Sequence, residues 1–363
     1  MIKRKVAHIS LTLTLFSIPI LLALIGLAFV FEASSVRSFS EVGNSFHYVR
    51  SQIMWLALGI CVFLFFSLLD YHKLYYFSFL IMMVSIFFLF LVLIPGLGHK
   101  VGGARRWLDL GFFRLQPTEL AKFSAIIYLS SWFINRERKR FFSFIILLGL
   151  LMFLIFLQPD MGTAMIIFSL SIIIYFLAGV ELHYLIGLIP LSFFGAFFLI
   201  KISPYRFKRL LAFFNPQLDP LGITYHINQI LISLSNGGLF GAGFGASRQK
   251  FLFLPEAHTD SIFAIIGEEI GFIGSFLLIL LFVYLLYKIF MVGLNAQDRF
   301  GKLLAGGIFA FFNLQIIFNL ASMVNLIPLT GVPLPFISYG GSNLMICFGL
   351  MGILINIAKK SKI

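Results

Sequence analysis

The chain has 363 residues, of which 60% are hydrophobic and 11% are charged, and its mean hydropathy is +1.02. Soluble domains carry roughly 25% charged residues, so this composition excludes a soluble class and predicts an integral membrane protein with little mass outside the bilayer. The net charge of +13 would suggest nucleic acid as the partner of a soluble protein, but in a membrane protein it favours anionic lipid. We therefore expect no nucleic-acid partner.

Apolar runs of spanning length predict ten transmembrane helices in an all-α fold. They lie at about 11–31, 52–69, 74–95, 117–134, 141–157, 161–180, 184–200, 262–287, 303–327 and 339–357. The first run follows the basic start MIKRK without a small-residue cleavage site, so we interpret it as a retained span. With this count the short basic loops and both termini fall on the cytoplasmic side.

The fifth and sixth predicted spans form one apolar stretch, 141–180, which only Gln158-Pro159-Asp160 interrupts. A single span needs about 20 residues, so this stretch is too long for one helix. We expect two helices with the break at the outer surface. One long helix with a kink at Pro159 is the alternative.

Three loops fall outside in this topology, at 34–50, 96–116 and 201–260. Two of them carry positive charge that short loops normally keep in the cytoplasm. The basic residues are Lys100, Arg105, Arg106, Arg114, Lys201, Arg206, Lys208, Arg209, Arg248 and Lys250. Exported cations favour an anionic ligand, such as a phosphate or diphosphate, on the outer face. Contact with ordinary lipid headgroups is the alternative.

The third outer loop, between helices 7 and 8, contains a predicted amphipathic helix at 219–238. Its isoleucines recur at helical spacing, so we expect it to lie in the membrane interface. The glycine-rich segment 237–245 lacks the strand and the spacing of a phosphate-binding loop. We interpret it as a turn that brings Arg248 and Lys250 towards Asp260.

Three ionisable residues, Glu256, His258 and Asp260, precede the eighth predicted span. Ionisable groups against the start of an apolar helix in a membrane protein usually mark function. A Thr-Asp pair before a helix is also typical of a cap, in which Thr259 or Asp260 satisfies the first N–H groups. From this segment alone, both interpretations of Asp260 stay open.

Two further features lie at membrane depth. Glu119 and Lys122 are three residues apart on the fourth span, so they can pair on one helix face, as a structural ion pair or as the lining of a cavity. The segment 328–342 interrupts the last two spans with three prolines and three glycines. Non-helical backbone at this depth is tolerated where it is buried or lines a cavity.

Four motifs, in this order and spacing, resemble one family. They are GGARRWLDLGFFRLQPTELAK, QPDMGT, GGLFGAGFGASRQKFLFLPEAHTDSIFAIIGEE and GVPLPFISYGGS. Nearly the whole chain is similar to the SEDS family of peptidoglycan glycosyltransferases, which includes FtsW, RodA and SpoVE. The segments GFGASRQK and AIIGEE are closer to the FtsW and SpoVE pattern. The chain departs from the family at His226, Ile230, Ser261 and Asn343, where Gln, Ser, Phe and a second Ser are common.

The resemblance implies one polytopic domain, 1–363, that polymerises lipid II on the outer face of the cytoplasmic membrane, in cell division. It makes Asp260 the catalytic carboxylate, acting as general base on the attacking sugar hydroxyl. It implies substrate binding by Arg105, Arg106, Gln116, Glu119, Lys122, Asp160, Arg248, Lys250, Glu256, His258, Thr259, Ser338 and Ser342. Arg105, Arg106, Arg248 and Lys250 are the candidates for stabilising the leaving diphosphate.

The implied partners are lipid II, a class B penicillin-binding protein and other membrane proteins of the division complex. A divalent cation, Mg²⁺ or Mn²⁺, between Asp260 and the diphosphate stays open, because the residue spacing defines no metal site. A RodA-like role in elongation is one alternative. A flippase for the same lipid is another, since broken helices suit a transporter, but the chain shows no internal repeat.

Cysteine labelling tests the predicted topology. Cysteine placed at Arg105 or Arg248 should react with a membrane-impermeant maleimide in intact cells, because both positions are expected outside. The parent protein should first lose Cys61 and Cys347, which lie in apolar runs. Labelling of Arg138→Cys, in the basic loop NRERKR, would overturn the map if it occurred without permeabilisation.

Overall fold

The computed structural model describes residues 2–101, 104–109, 111, 114–134, 140–180, 183–184, 186–188, 190, 195, 201 and 203–361, with side chains from residue 11 onward except at 100, 101 and 205. Its helices are α1 (Ile2–Val42), α2 (His47–Leu68), α3 (Tyr71–Leu91), α4 (Pro117–Trp132), α5 (Phe141–Leu157), α6 (Met161–Leu177), α7 (Pro204–Phe214), α8 (Tyr225–Gly237), α9 (Ile262–Asn295), α10 (Arg299–Met323) and α11 (Gly341–Lys359). Its strands are β1 (Gly98–Val101), β2 (Ala104–Asp109) and β3 (Arg114–Leu115).

The predicted all-α membrane architecture is confirmed for the described residues. Six helices, α1, α2, α3, α9, α10 and α11, are long and apolar enough to cross a membrane. The helices α5 and α6 have 17 residues each, and α4 has 16. Most of the seventh predicted span, 184–200, lies outside the described residues. The basic loop 135–139 and the side chain of Lys100 lie outside them as well.

Two predicted outer loops have more structure than expected. Helix α1 continues through Val42, so much of the loop 34–50 is helical. In the loop 96–116 the strands form an antiparallel sheet in the order β1-β2-β3, which pairs backbone groups that a bare loop would leave to water. Side chains alternate between the faces of a strand, so Arg105 and Arg106 on β2 point to opposite sides of the sheet.

The break at Gln158-Pro159-Asp160 separates two helices, as predicted. Helix α5 ends at Leu157, and α6 begins at Met161. The Asp160 carboxylate caps α6, because Oδ1 accepts a hydrogen bond from the Thr163 N–H at 3.1 Å and Oδ2 one from its hydroxyl at 2.9 Å. Gly162 allows the α6 start to approach the loop before α11, since a Cβ there would lie 2.3 Å from the Thr330 carbonyl oxygen.

Helix α9 is interrupted at Gly271, which has a φ of +66°. The segment 238–243 packs against this break and pairs with its backbone. Phe272 N–H donates to the Gly238 carbonyl at 2.9 Å, and Ala242 N–H donates to the Glu268 carbonyl at 2.9 Å. These bonds satisfy backbone groups that the interruption frees, as membrane depth requires.

Helix α11 forms the centre of the bundle. In its 18-residue apolar stretch 94% of the residues are buried, against 28% in the corresponding stretch of α2. Glycines bring these two helices together. A Cβ on Gly341 would overlap the Trp55 ring, and a Cβ on Gly352 would lie 2.5 Å from the Phe63 carbonyl oxygen. Small residues at a membrane helix interface allow close backbone approach, which strengthens van der Waals packing.

Substitution of Gly352 should therefore destabilise the bundle. Gly352→Val should cost about 1–3 kcal/mol, because the added carbons displace α2 from α11. The matched control is Gly149→Val in α5, where a Cβ meets no atom within 4 Å. Thermal unfolding in detergent should show a lower melting temperature for Gly352→Val alone. Equal melting temperatures for the two variants would contradict this packing.

Candidate active site

A cavity of about 110 Å³ lies where β2, the starts of α4 and α6, α7 and the loop before α11 meet. Its lining is mainly polar and charged. The charged and amide side chains in it are Arg106, Gln116, Glu119, Asp160, Arg206 and Arg209. Three guanidinium groups in one small concave site favour an anionic ligand with several oxygen atoms.

Each cavity arginine is oriented by a neighbouring group. Arg106 Nε donates to the Gln158 carbonyl at 3.1 Å, at the break between α5 and α6. Arg209 NH1 donates to the Leu329 carbonyl at 2.8 Å, in the loop before α11. The Arg206 guanidinium lies 5.5 Å from the centre of an aromatic ring at the end of α5. A guanidinium is a rigid fork of five donors, so these contacts fix its direction.

The acidic wall of the cavity is charge-compensated. Lys122 Nζ lies 2.6 Å from Glu119 Oε1, and both side chains are buried. Asn343 Nδ2 from α11 donates to Glu119 Oε2 at 3.0 Å, so the pair also joins α4 to α11. Glu119 therefore lines the cavity, its ion pair with Lys122 lies within α4, and its bond from Asn343 links α4 to α11.

Asp260 is not itself a lining residue of this cavity, but its carboxylate lies next to one, Gly331. Asn319 Nδ2 donates to the carbonyls of Asp260 and Val332, at 2.8 Å each, and so ties the segment before α9 to the loop before α11. A Cβ built on Gly331, which lines the cavity, would lie 3.6 Å from Asp260 Oδ2. The carboxylate therefore lies directly beside the cavity wall.

The capping interpretation of Thr259 and Asp260 is wrong. Helix α9 begins at Ile262, its N-cap residue is Ser261, and no side chain caps it there. Asp260 Oδ1 instead accepts a hydrogen bond from the Thr259 hydroxyl at 3.2 Å. The helix starts too late along the chain for Asp260 to be its cap.

The surroundings of Asp260 make its carboxylate more basic. Burial raises the pKa of Asp260 above its ordinary value, the charge of His226 opposes this rise, Glu256 adds to it and Arg209 opposes it. The net direction is upward. A carboxyl group with a raised pKa beside a polar cavity has the properties of a general base.

Glu256 and His258 stand just before Asp260 in a polar and aromatic cluster. The His258 ring centre lies 4.7 Å from that of Tyr48 and 5.5 Å from that of Tyr339. Burial, and then the positive charge of Arg37, lower the pKa of His258 to about 4, so the ring is neutral near pH 7. Glu256 Oε1 lies 3.9 Å from Arg37 NH1.

The family model for FtsW, RodA and SpoVE, described as a cell cycle protein, matches residues 12–363. The chain belongs to this family. Stage V sporulation protein E of Bacillus subtilis (strain 168) is 39% identical over 359 residues, which cover 96% of this chain and 97% of that protein. A probable peptidoglycan glycosyltransferase FtsW of Coxiella burnetii (strain RSA 493 / Nine Mile phase I) is 39% identical over 351 residues, 94% of each chain.

Solved structures share the fold. One chain from a study of the structural coordination of polymerization and crosslinking by a peptidoglycan synthase complex matches with a TM-score of 0.78 and 26% identity over 97% of both chains. The rod shape determining protein RodA of Thermus thermophilus matches with a TM-score of 0.70 and 24% identity over 96% of this chain and 97% of that one. The resemblance inferred from the four motifs is confirmed.

The structure separates the basic residues that the family motifs place together. Arg106 lines the cavity, whereas Arg105 lies on the other face of the sheet. Arg248 is exposed, and its backbone N–H donates to Glu268 Oε1 at 3.2 Å. These two arginines lie outside the cavity lining, so Arg106 is the one member of this group placed for a ligand there.

The resemblance implies that Lys250 contacts the leaving diphosphate, but in the structure its side chain lies between carboxylates. It is 8% exposed, and its Nζ lies 2.7 Å from Glu32 Oε2 and 3.6 Å from Glu269 Oε1. The glycine-rich turn is present, but it carries Lys250 onto two buried or partly buried carboxylates of α1 and α9. This lysine holds elements of the fold together.

Three other polar residues of the family motifs form backbone contacts. The Ser338 hydroxyl accepts a hydrogen bond from the Leu334 N–H at 2.8 Å within the loop before α11. The Ser342 hydroxyl accepts one from the Gln116 N–H at 3.1 Å, which joins the starts of α4 and α11. These hydroxyls fix the shape of the cavity wall, and the Gln116 side chain lines it.

Two cavity arginines, Arg206 and Arg209, were named among the exported cations that favour an anionic ligand, but not among the site residues predicted from sequence. Their signal was present: they stand three residues apart, so they share one face of an amphipathic helix that begins with Pro204. What the sequence did not show was that this face of α7 closes the cavity.

Removal of Lys250 should destabilise the protein. Lys250→Met leaves the partly buried Glu32 and the buried Glu269 without their cation, and breaking such a buried pair costs about 3–5 kcal/mol. Arg248→Met is the matched control, because this nearby basic side chain is exposed. We expect a lower melting temperature in detergent for Lys250→Met only. A melting temperature equal to that of the control would refute the structural role.

Proposed function

We propose that the chain is a peptidoglycan glycosyltransferase that polymerises lipid II, with Asp260 as the general base. The observation that carries this proposal is the position of Asp260. Its Oδ2 would lie 3.6 Å from a Cβ built on Gly331, a lining residue of the arginine-lined cavity, and its carboxyl pKa is raised. A base therefore lies beside that cavity. The names of the FtsW relatives support the same activity.

In the proposed reaction the 4-hydroxyl oxygen of one lipid II attacks the anomeric carbon of another. Asp260 takes the hydroxyl proton as the new C–O bond forms. The bond between the anomeric carbon and the diphosphate oxygen breaks, and the electron pair leaves with undecaprenyl diphosphate. Arg106, Arg206 and Arg209 stabilise the negative charge that develops on this leaving group.

A divalent cation fits this site only with help from the substrate. Among the residues that the structure describes, no three His, Cys, Asp or Glu side chains come together as metal ligands. Mg²⁺ commonly keeps several waters and binds one or two carboxylates plus substrate phosphates, so Asp260 would be its protein ligand here. Such a cation would neutralise charge on the diphosphate.

The proposal includes the ten-span topology, with both termini in the cytoplasm and the cavity on the outer face of the cytoplasmic membrane.

The proposal also includes a partner protein. One structural neighbour belongs to a peptidoglycan synthase complex that coordinates polymerization and crosslinking, which supports a class B penicillin-binding protein as the partner of this chain. The FtsW names favour a role in division together with other division-complex membrane proteins.

Asp260→Asn tests the catalytic role. The amide keeps the shape of the carboxylate but has no useful basicity near neutral pH, so the rate should fall roughly 10²- to 10⁴-fold. Glycan-chain formation from lipid II by the purified protein, with and without a class B penicillin-binding protein, measures the rate. A liposome flipping assay on the same protein tests the transporter alternative.

The matched control for this experiment is Asp219→Asn, the same change at another aspartate of the outer loop. Asp219 is partly exposed and accepts a hydrogen bond from the Ile223 N–H at 3.1 Å, away from the cavity lining. Expression and melting temperature are measured for both variants. Near wild-type polymerisation by a folded Asp260→Asn protein would remove Asp260 from the mechanism.

The cavity arginines make a separate prediction. Arg209→Gln should lower turnover about ten- to a hundredfold, since a lost charge-assisted contact costs about 1.5–3 kcal/mol. Arg248→Gln, at an exposed position outside the cavity lining, should stay near the wild-type rate. The reverse result would assign the diphosphate to the loop cations that the family motifs suggest.

A further inference from the structure

Among the described residues, the lining of the arginine cavity contains two carboxylates, and donors of the protein hold both. Glu119 Oε1 lies 2.6 Å from Lys122 Nζ, and Glu119 Oε2 accepts a hydrogen bond from Asn343 Nδ2 at 3.0 Å. The two oxygens of Asp160 accept from the N–H and the hydroxyl of Thr163. Each carboxylate oxygen of the lining is therefore already engaged by the protein.

Asn343 is oriented for its contact with Glu119. It is buried in the first turn of α11, and the Sγ atom of Cys347, one turn later, lies 3.6 Å from its Oδ1 atom. A thiol can donate and a carboxylate only accepts, so the two neighbours direct the NH₂ group of the amide towards Glu119. A serine hydroxyl, which the family commonly has here, is shorter by about 1.5 Å and would leave Glu119 Oε2 without this donor.

The contact affects ligand binding because Glu119 and a diphosphate are both anions in one cavity of about 110 Å³. Like charges repel more strongly in a poorly hydrated site than in water. The ammonium group of Lys122 and the amide of Asn343 offset the carboxylate charge. A carboxylate oxygen without a donor would instead add negative charge to the wall and compete with the diphosphate for the guanidinium groups.

We propose that Asn343 is a positioning residue for diphosphate binding, which holds the Glu119 carboxylate in its pair with Lys122 and so preserves the positive field of the cavity arginines. This inference rests on the proposed function and deepens it. Glu119 shapes the cavity wall and is kept from competing with the substrate, and the ligand binds to the arginines.

Asn343→Ser tests the contact through the Michaelis constant. The variant lacks the donor to Glu119, and the diphosphate carries negative charge before the reaction as well as during it. Loss of binding that is common to the ground state and the transition state raises KM with little change in kcat. We expect KM for lipid II to rise about three- to tenfold, the factor that a typical hydrogen bond contributes, with kcat within about twofold of the wild type.

The matched control is Asn356→Ser, the same change at another buried asparagine of α11. Asn356 accepts a hydrogen bond from the Tyr71 N–H and donates to the Ser67 carbonyl, both at 3.1 Å, away from the cavity lining. Its loss should lower the melting temperature in detergent and leave KM at the wild-type value. If Asn343 only joined helices, the two variants would show the same kinetics.

Asn343→Leu distinguishes the lost donor from the lost volume. Leucine has nearly the shape of asparagine, so this variant removes the hydrogen bond without leaving the void that serine leaves. We expect KM to rise at least as much as in Asn343→Ser. A wild-type KM for Asn343→Leu would overturn the proposal, whether or not the serine variant folds.

Inorganic diphosphate gives a readout that needs no catalysis. A ligand that binds the folded state raises the melting temperature according to its concentration and its Kd. Diphosphate should stabilise the wild type and Asn356→Ser over the same concentration range. Asn343→Ser and Asn343→Leu should need concentrations about three- to tenfold higher for the same stabilisation.

The two readouts separate this inference from the proposed function. If the wild type forms no glycan chains, the proposed function fails, and diphosphate binding still decides the role of Asn343. If the wild type polymerises lipid II but gains no stability from inorganic diphosphate, KM alone decides. If both Asn343 variants keep the wild-type KM and the wild-type response to diphosphate, the inference is refuted and the proposed function stands.

Discussion

One side-chain amide joins the two non-helical segments that form the site. Asn319 in α10 donates to the backbone carbonyls of both Asp260 and Val332. Polar backbone without a partner is costly inside a membrane protein, so a segment can leave helical geometry there only where another group satisfies it. The segment before α9 and the loop before α11 are thus held together, and the position of the Asp260 carboxylate beside Gly331 depends on that contact.

Buried charge needs partners for the same reason, and this need keeps some of the loop cations away from the cavity. Glu268 and Glu269 lie in the buried first part of α9, where each needs a donor or a counter-ion. The Ser247 hydroxyl and the Arg248 N–H donate to Glu268, and Lys250 lies beside Glu269. The loop after α8 is therefore organised by the internal acids of α9. The positive charges that line the cavity come instead from β2 and from α7.

Sequence patterns predicted what depends on local spacing. Apolar runs of spanning length predicted ten spans, and described helices lie at nine of them. A separation of three residues indicated the pair Glu119 and Lys122. Local spacing does not show contacts between segments that are distant in the chain. Lys250 meets Glu32 across 218 residues, and Arg209 meets the Leu329 carbonyl across 120. For the same reason the motifs could not show that Arg105, Arg248 and Lys250 lie outside the lining of the cavity next to Asp260.

Asp160 and Asp260 show how one residue of helix register changes the chemistry of an aspartate. Each precedes an apolar helix, and either could be a cap by sequence. Asp160 is the N-cap of α6, and its carboxylate accepts two hydrogen bonds from Thr163 in the first turn of that helix. At α9 the N-cap is Ser261, so Asp260 stands one position outside the helix. Its carboxylate lies outside the helix cap and burial raises its pKa, which are the properties that the proposed role as proton acceptor requires.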